Sequence, residues 1–542
     1  MHHIYKGGVA SQKNRMEKTK NSENSKVAKA AGIVGALTMV SRVFGLLRDT
    51  VIAAIFGATW MTDAFWIAFR IPFTLSRLLG EGSLTVSFVP VFTEYLHKRT
   101  KEETLELAYN AFTILSIILT GITVLGIVFS PLIVGIIGAG FVSEPNHFAL
   151  AVFLNRLMFP YIFVVSLGAL CMGILNSYRH FIAPALSPVL LNISMILAAL
   201  CLRPFFAEPI TALAIGVLIG GILQLALQWS FLGKYGVKFR FRFNFNHPGV
   251  KQIGVLILPA IFSGGVNTIN VFIGTSLASL LAGGSVTYLF YADRIMQLPL
   301  GVFAIAIGTA TLPSFSRHVT AGNIDELKSS ISFSLRLTLF LTIPAMVALM
   351  ALNLPIISVL FQRGAFDAQA AIYTSQALFC YATGLWAYSI VRVFINSFYS
   401  LQDSRWPMRA AIITLIVNVI VSLALMYPLK HNGLALAVSI AAAVNVFTLS
   451  FVLKRKIGKF LDRSFYISIF KIVLSAVCMA AAILLMDYFM PWDTSARFKT
   501  RLIYLIAAVF TGAGVFFSCA FLLKSQEIHA LVNMLKRRLN RP

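Results

Sequence analysis

Apolar residues run through this chain in long blocks, separated by short polar or Pro/Gly-containing breaks. A helix needs roughly 20 predominantly apolar residues to cross a bilayer. Read that way, the pattern predicts fourteen helices, at 30–57, 60–94, 105–138, 148–178, 183–202, 210–233, 253–282, 286–316, 328–361, 369–400, 408–428, 433–453, 465–490 and 501–523. Segments longer than 30 residues must tilt, bend or extend beyond the hydrocarbon. The predicted fold class is all-α: a polytopic membrane protein with fourteen transmembrane helices.

The pattern also repeats. "FVPVFTEYL" closes the second segment and "TLPSFSRHV" the eighth, with Pro90 and Pro313 separated by 223 positions. "NSYRHFIAP" follows the fourth segment and "NSFYSLQDS" the tenth; Asn176 and Asn396 lie 220 apart, Asn192 and Asn418 226 apart. Six helices per copy is an even number, so the copies have parallel topology, as in transporters built from two halves. The expected organisation is a cytoplasmic basic tail (1–27), an N-lobe of six helices (28–233) and an inter-lobe linker (234–252). A C-lobe of six helices (253–456), two further helices (457–523) and a second basic tail (524–542) complete it.

Composition excludes the alternative of buried helices in a soluble protein. The chain is 58% hydrophobic and only 12% charged, against about 25% charged residues in soluble domains. The formal net charge of +25 would suggest nucleic-acid binding in a soluble protein. Here the basic residues concentrate in loops on one side: thirty Lys and Arg on the side of both termini, six on the other. That bias places both termini in the cytoplasm and removes nucleic acid as a partner. The five cysteines lie in apolar segments without metal-ligand spacing and read as buried hydrophobes.

Nine Lys and Arg then remain at helix depth: Arg42, Arg48, Arg70, Arg77, Arg156, Arg294, Arg336, Arg392 and Lys471. Asp49, Asp63, Glu81 and Asp293 are the acids of the same region. Charges in hydrocarbon are costly, so they face a protein interior or water and are functional candidates. In the second segment, Asp63, Arg70 and Arg77 are spaced by seven and drift only about 20° per step; Glu81 returns to that face. In the first segment Arg42, Gly45 and Asp49 share a stripe, with Arg48 about 100° aside. Two readings stand. The arginines Arg42, Arg48, Arg70, Arg77 and Arg294 face a water-filled cavity and bind an anion through bidentate contacts, with Asp49, Asp63, Glu81 and Asp293 orienting them. Alternatively, pairs such as Arg48–Asp49 and Arg77–Glu81 are internal salt bridges holding the bundle. Arg156, Arg336, Arg392 and Lys471 are expected to snorkel or pair near helix ends.

"KFRFRFNFN" (238–246) alternates basic or polar residues with Phe, which fits an extended or interfacial linker between the lobes. Signatures of metal-diphosphate chemistry, H-E-x-x-H, G-x-S-x-G and the P-loop are missing from the sequence. The expectation is a transporter with no cofactor, not an enzyme. No metal site is expected with assurance; the seventh segment offers only Asn267, Asn270 and the neighbouring Thr268 as sodium candidates.

"SRVFGLLRDTVIAAIFGA" followed by "TDAFWIAFRIPFTLSRLLGEGSLTVSFVPVF" (41–92) resembles the N-terminal signature of the MurJ/MviN family of bacterial lipid II flippases. "YADRIMQLPLGVFAIAIGTATLPSFSRH" (291–318) and "FYSLQDSRWP" (398–407) are similar to its later signatures, and the likeness covers about residues 28–525. The resemblance implies two six-helix lobes around a cationic cavity and alternating access in the bacterial inner membrane. It implies a substrate, undecaprenyl-diphosphate-linked disaccharide pentapeptide, carried from the cytoplasmic to the periplasmic leaflet. Its important charged positions correspond to Arg42, Arg48, Asp63, Arg70, Arg77, Glu81 and the Asp293–Arg294 pair. Ser76 stands where many members carry a second basic residue. Helices 13 and 14 are implied to form a groove for the polyprenyl tail. We expect a monomer among membrane lipids, in contact with the cell-wall synthesis machinery. Flipping of another polyprenyl-diphosphate sugar, or drug/cation antiport in the same superfamily, are the rival functions; five arginines suit an anion better than a cationic drug.

Overall fold

The computed structural model describes residues 32–237, 240–301 and 305–528, and helix occupies part of every predicted segment. The first helix, α1, covers 32–56; α2 (Trp60–Ser76) continues through a π-helical segment, Arg77–Leu84, into α3 (Thr85–Lys98). Then follow α4 (Lys101–Val128), α5 (Ser130–Ile137), α6 (Pro145–Met158), α7 (Tyr161–Ser177), α8 (Ile182–Leu197), α9 (Thr211–Leu232) and α10 (Pro248–Ser279). The second half continues with α11 (Ser285–Pro299), α12 (Ile305–Thr320), α13 (Ile324–Ala351), α14 (Asn353–Phe361), α15 (Ala368–Ala382) and α16 (Leu385–Ser400). It ends with α17 (Arg405–Leu429), α18 (His431–Ile457), α19 (Arg463–Phe489) and α20 (Phe498–Leu522).

Among the described residues ten helices are long and apolar enough to cross a membrane. The predicted segments not among those ten are the first, second, seventh and eighth. The first, second and eighth hold Arg42, Arg48, Arg70, Arg77 and Arg294. Helix starts follow their sequence signals. Thr100 and Glu103 form a reciprocal capping box on α4, Asp367 accepts from Ala370 N at 2.8 Å, and Asp462 accepts from Phe465 N at 3.1 Å. The 238–246 segment is not a strand in its described part. Arg242 instead ties it to α4, through its guanidinium to Glu106 at 2.9 Å and its N–H to Thr113 Oγ1 at 3.2 Å.

By packing, the chain forms two compact units whose bounds differ from those expected for the two lobes. One contains the described residues up to Val51, Phe69–Ser130 and Phe153–Gly264; the other contains Ile52–Ala68, Pro131–Val152 and everything from Gly265. In the N-terminal unit, α8 and α9 are pinned by polar ties: Gln224 Nε2 to Ser187 O and Gln228 Nε2 to Ser187 Oγ, both 3.0 Å, and Ser194 Oγ to Gly216 O at 2.8 Å. In lipid such bonds substitute for the missing hydrophobic drive between helices. The C-terminal unit has a large core of Leu335, Phe340, Phe394, Val446, Ile472 and Phe516, drawn from α13, α16, α18, α19 and α20. The last two helices are thus part of this unit's core; Phe340 and Phe516 have ring centroids 5.3 Å apart.

Candidate functional site

Arg48 and Asp49 are buried, 4% and 1% exposed. Arg48 donates to Asp49 Oδ1 from Nε at 2.9 Å and from Nη2 at 2.6 Å; its Nη1 reaches Asn192 Oδ1 at 3.1 Å on α8. Asn192 Nδ2 in turn donates to Ser41 O at 3.3 Å. Desolvated charges need this degree of pairing. Of the two readings of Arg48, the ion pair is the one this geometry displays. Asn192, which the sequence offers only as a repeat marker, is the second partner of Arg48.

On the same unit, Arg42 and Arg70 are half-buried and Arg77 is exposed, its guanidinium 5.7 Å from the centre of the Phe73 ring. Arg77 opens the π-helical segment, so the α-period that assigned Glu81 to its face stops applying at this residue. Gly80 is where this segment meets α7: a Cβ there would stand 3.3 Å from Ser166 Cα. The side chain of Glu81 lies outside the described residues, and with it the expected Arg77–Glu81 pair.

Asp63, Asp293 and Arg294 belong to the C-terminal unit. Asp63 is buried and accepts from Gly284 N at 2.7 Å, Thr287 N at 2.8 Å and Thr287 Oγ1 at 2.6 Å. It therefore holds the N-terminus of α11, supplying the acceptor that the first helical N–H groups lack and a negative charge at the positive end of the helix dipole. These hydrogen bonds go to backbone and hydroxyl groups, where the sequence reading expected an arginine. Three residues on, Trp66 stacks on Phe290 with centroids 3.7 Å apart, and Arg294 lies 5.2 Å from the Phe290 ring centre. An aromatic ladder thus fixes where the Arg294 guanidinium stands. Asp293 accepts from Gln297 Nε2.

Asn270 Oδ1 accepts from Asn418 Nδ2 at 2.8 Å, while the side chain of Asn267 lies outside the described residues. An apolar cavity of about 460 Å³ opens between α13, α16, α18 and α19, lined by Leu339, Ile343, Trp386, Phe447, Phe465 and Ala476. Periodicity does not locate it, because its lining is drawn from four helices spread between Leu335 and Ala480.

Ten helices long and apolar enough to cross a membrane, with buried or half-buried arginines on others, point to a multi-pass membrane transporter. The fold is shared with a multidrug resistance MATE family transporter of the MOP superfamily in its inward-facing conformation. That match has a TM-score of 0.66 at 16% identity and covers 79% of this chain and 98% of that one. The solved structure of a lipid II flippase MurJ in an inward closed conformation matches with a TM-score of 0.75 at 27% identity, over 94% of this chain and 99% of that one. The family model described as lipid II flippase MurJ matches residues 52–503. A probable lipid II flippase MurJ of Rhizobium meliloti is 35% identical over 94% of this chain and 96% of its own length. The lipid II flippase MurJ of Burkholderia cenocepacia is 36% identical over 78% and 83%. The chain belongs to the MurJ family of lipid II flippases.

Proposed function

We propose that this protein flips lipid II, undecaprenyl-diphosphate-linked disaccharide pentapeptide, from the cytoplasmic to the periplasmic leaflet of the bacterial inner membrane. The observation that carries the reading is the family match across residues 52–503, which spans the segments bearing Arg70, Arg77 and Arg294. On this reading the chain crosses the membrane fourteen times in two six-helix lobes plus α19 and α20, with both termini cytoplasmic, and the thirty-to-six distribution of basic loop residues supports that orientation.

The diphosphate is served by Arg42, Arg70, Arg77 and Arg294, whose guanidinium forks suit phosphate oxygens. Arg48 contributes its charge from within its pair with Asp49. Phe73 and Phe290 lie beneath the guanidinium groups of Arg77 and Arg294 and help to orient them. The polyprenyl tail lies along the apolar cavity beside α19. Substrate binding favours one of two access states, which requires unequal affinity for them.

The test is headgroup flipping by purified protein in vesicles, beside complementation of a flippase-depleted cell. Arg70→Ala and Arg294→Ala are expected to lower flipping at least ten-fold at unchanged membrane levels. A third arm replaces lipid II by an undecaprenyl diphosphate carrying a different sugar and is expected to show little transport. Full activity of both arginine variants would sink the diphosphate assignment, and equal flipping of both lipids would sink the substrate assignment.

A further inference from the structure

A second cavity, of about 550 Å³ and bordered by basic residues, lies at one end of the N-terminal unit, away from the arginines of α1 and α2 in sequence. Three connections meet there: α3 to α4, the end of α7 and the turn after α9. Its lining includes Arg99, Lys101, Thr104, Tyr178, Lys234 and Tyr235. We propose that this cavity is a binding site for a phosphate-bearing anion.

Three cations converge on it, and two of them lie over aromatic rings. Arg99 lies 6.0 Å from the centre of the Tyr95 ring and Lys234 4.8 Å from that of Phe231. Lys101 reaches over the Gly236 turn, so that a Cβ built at Gly236 would stand 3.7 Å from its Nζ. Basic residues nearby are neutralised: Lys98 by Glu94 at 3.0 Å and Arg242 by Glu106 at 2.9 Å. Among the described residues no carboxylate forms an ion pair with Arg99, Lys101 or Lys234. Glu103, two positions from Lys101, is turned into the α4 capping box, where its Oε2 accepts from Thr100 N at 3.0 Å, and it meets Arg99 only through the longer-range attraction of their charges.

Three like charges around one cavity repel one another, and an anion relieves that repulsion. A guanidinium beside two ammonium groups matches the several oxygens of a phosphate. One wall is aromatic: Tyr178 and Tyr235 stack with centroids 4.4 Å apart and planes 17° from parallel. That wall gives an apolar surface for the organic part of the ligand. The same phosphate chemistry has two sources at a membrane surface, the headgroup of an anionic phospholipid or a phosphorylated solute.

Amine footprinting by mass spectrometry on the full chain reads the site directly. Purified protein is labelled with an amine-reactive reagent in detergent with and without inorganic pyrophosphate. It is then labelled in vesicles of phosphatidylcholine with and without phosphatidylglycerol. Labelling of Lys101 and Lys234 is expected to slow at least three-fold in one or both arms, while Lys98 is unchanged. Protection by pyrophosphate alone supports the site with a soluble occupant, and protection by phosphatidylglycerol alone supports it with a lipid headgroup. Arg99→Gln, a change of an exposed residue, is expected to remove the protection of both lysines. Unchanged labelling in both arms, equal protection of Lys98, or protection that survives Arg99→Gln would each overturn the proposal. Lipid II flipping by the same preparations is measured separately, so its loss or retention does not decide this outcome.

Discussion

Arg179 and Gln402, 223 positions apart, end their helices in the same left-handed conformation, with φ of 60° and 56°. The following amide closes the helix in both: His180 N to Leu175 O at 2.8 Å after α7, and Asp403 N to Phe398 O at 2.9 Å after α16. This is the helix ending usually made by glycine, since an L side chain there costs roughly 1 kcal/mol or more. Gln402→Gly is therefore expected to leave stability unchanged or raise it by up to about 1 kcal/mol, whereas Gln402→Val lowers it by about 1–2 kcal/mol. Thermal unfolding in detergent, followed by circular dichroism, checks the order; a valine variant as stable as the glycine one would refute the shared ending.

The interval of 223 is also that between Pro90 and Pro313, so the spacing read from the sequence recurs in residues that terminate or bend helices. It was less legible in identities: Asn176 and Asn396, 220 apart, are not at matching places relative to these two helix ends. Helix positions were readable because lipid imposes a length and a polarity on any crossing segment. Which charges were unusual was readable for the same reason. Their partners were not. Asp63 is met by groups more than 220 positions later, and Arg48 by Asn192, 144 positions away. Periodicity assigns a face to a side chain but does not say what lies opposite, and at Arg77 even the period changes.

Asp63 is the sharpest case of a charge with a structural post. Removing a helix cap costs about 0.5–2 kcal/mol, and leaving buried donors unmet adds about 1–3 kcal/mol. Asp63→Ala is expected to destabilise by about 2–4 kcal/mol. Asp63→Asn keeps one acceptor oxygen and is expected to lose less. Hydrogen exchange should show faster exchange at Gly284 and Thr287 in the alanine variant. Wild-type protection there would contradict the cap.

Asp403 sits in the loop between α16 and α17, where Lys456 Nζ donates to its carboxylate at 2.5 Å. The bond to the Lys456 ammonium holds this carboxyl below its ordinary range. A depressed carboxyl stabilises the fold above its unfolded pKa, and that contribution fades as pH falls through the lower folded value. Because the pair is partly solvated, its worth is under about 1 kcal/mol. The difference in stability between wild type and Asp403→Asn should thus be small at neutral pH and vanish at acid pH. A gap that widens on acidification would reverse the assignment.

Gly364 lies in the C-terminal unit at φ +57°, in the left-handed region, against α1 residues of the same unit. A Cβ there would fall 2.2 Å from Ala54 O, beside the bond from Ala365 N to that same oxygen at 2.8 Å. Left-handed strain of roughly 1–2 kcal/mol and overpacking of about 1–3 kcal/mol add in Gly364→Ala. The expected loss is at least about 2 kcal/mol. A lower melting temperature and faster proteolysis of the 362–367 turn would register it; unchanged values for both would exclude this close approach.

The Arg48–Asp49 pair allows structure and transport to be separated. Arg48→Ala leaves a buried carboxylate without its guanidinium, a loss of about 3–5 kcal/mol, and Asp49→Ala strands the guanidinium in the same way. Either single change should therefore abolish flipping for reasons that say nothing about substrate. Arg48→Met combined with Asp49→Leu removes both charges at similar volume, and replacements of this kind are often neutral or stabilising. The double variant is expected to melt within about 1.5 kcal/mol of wild type. If it folds and still fails to flip lipid II, the positive charge of Arg48 acts on the diphosphate from inside its pair. If it folds and flips normally, the pair is a tie between α1 and α8.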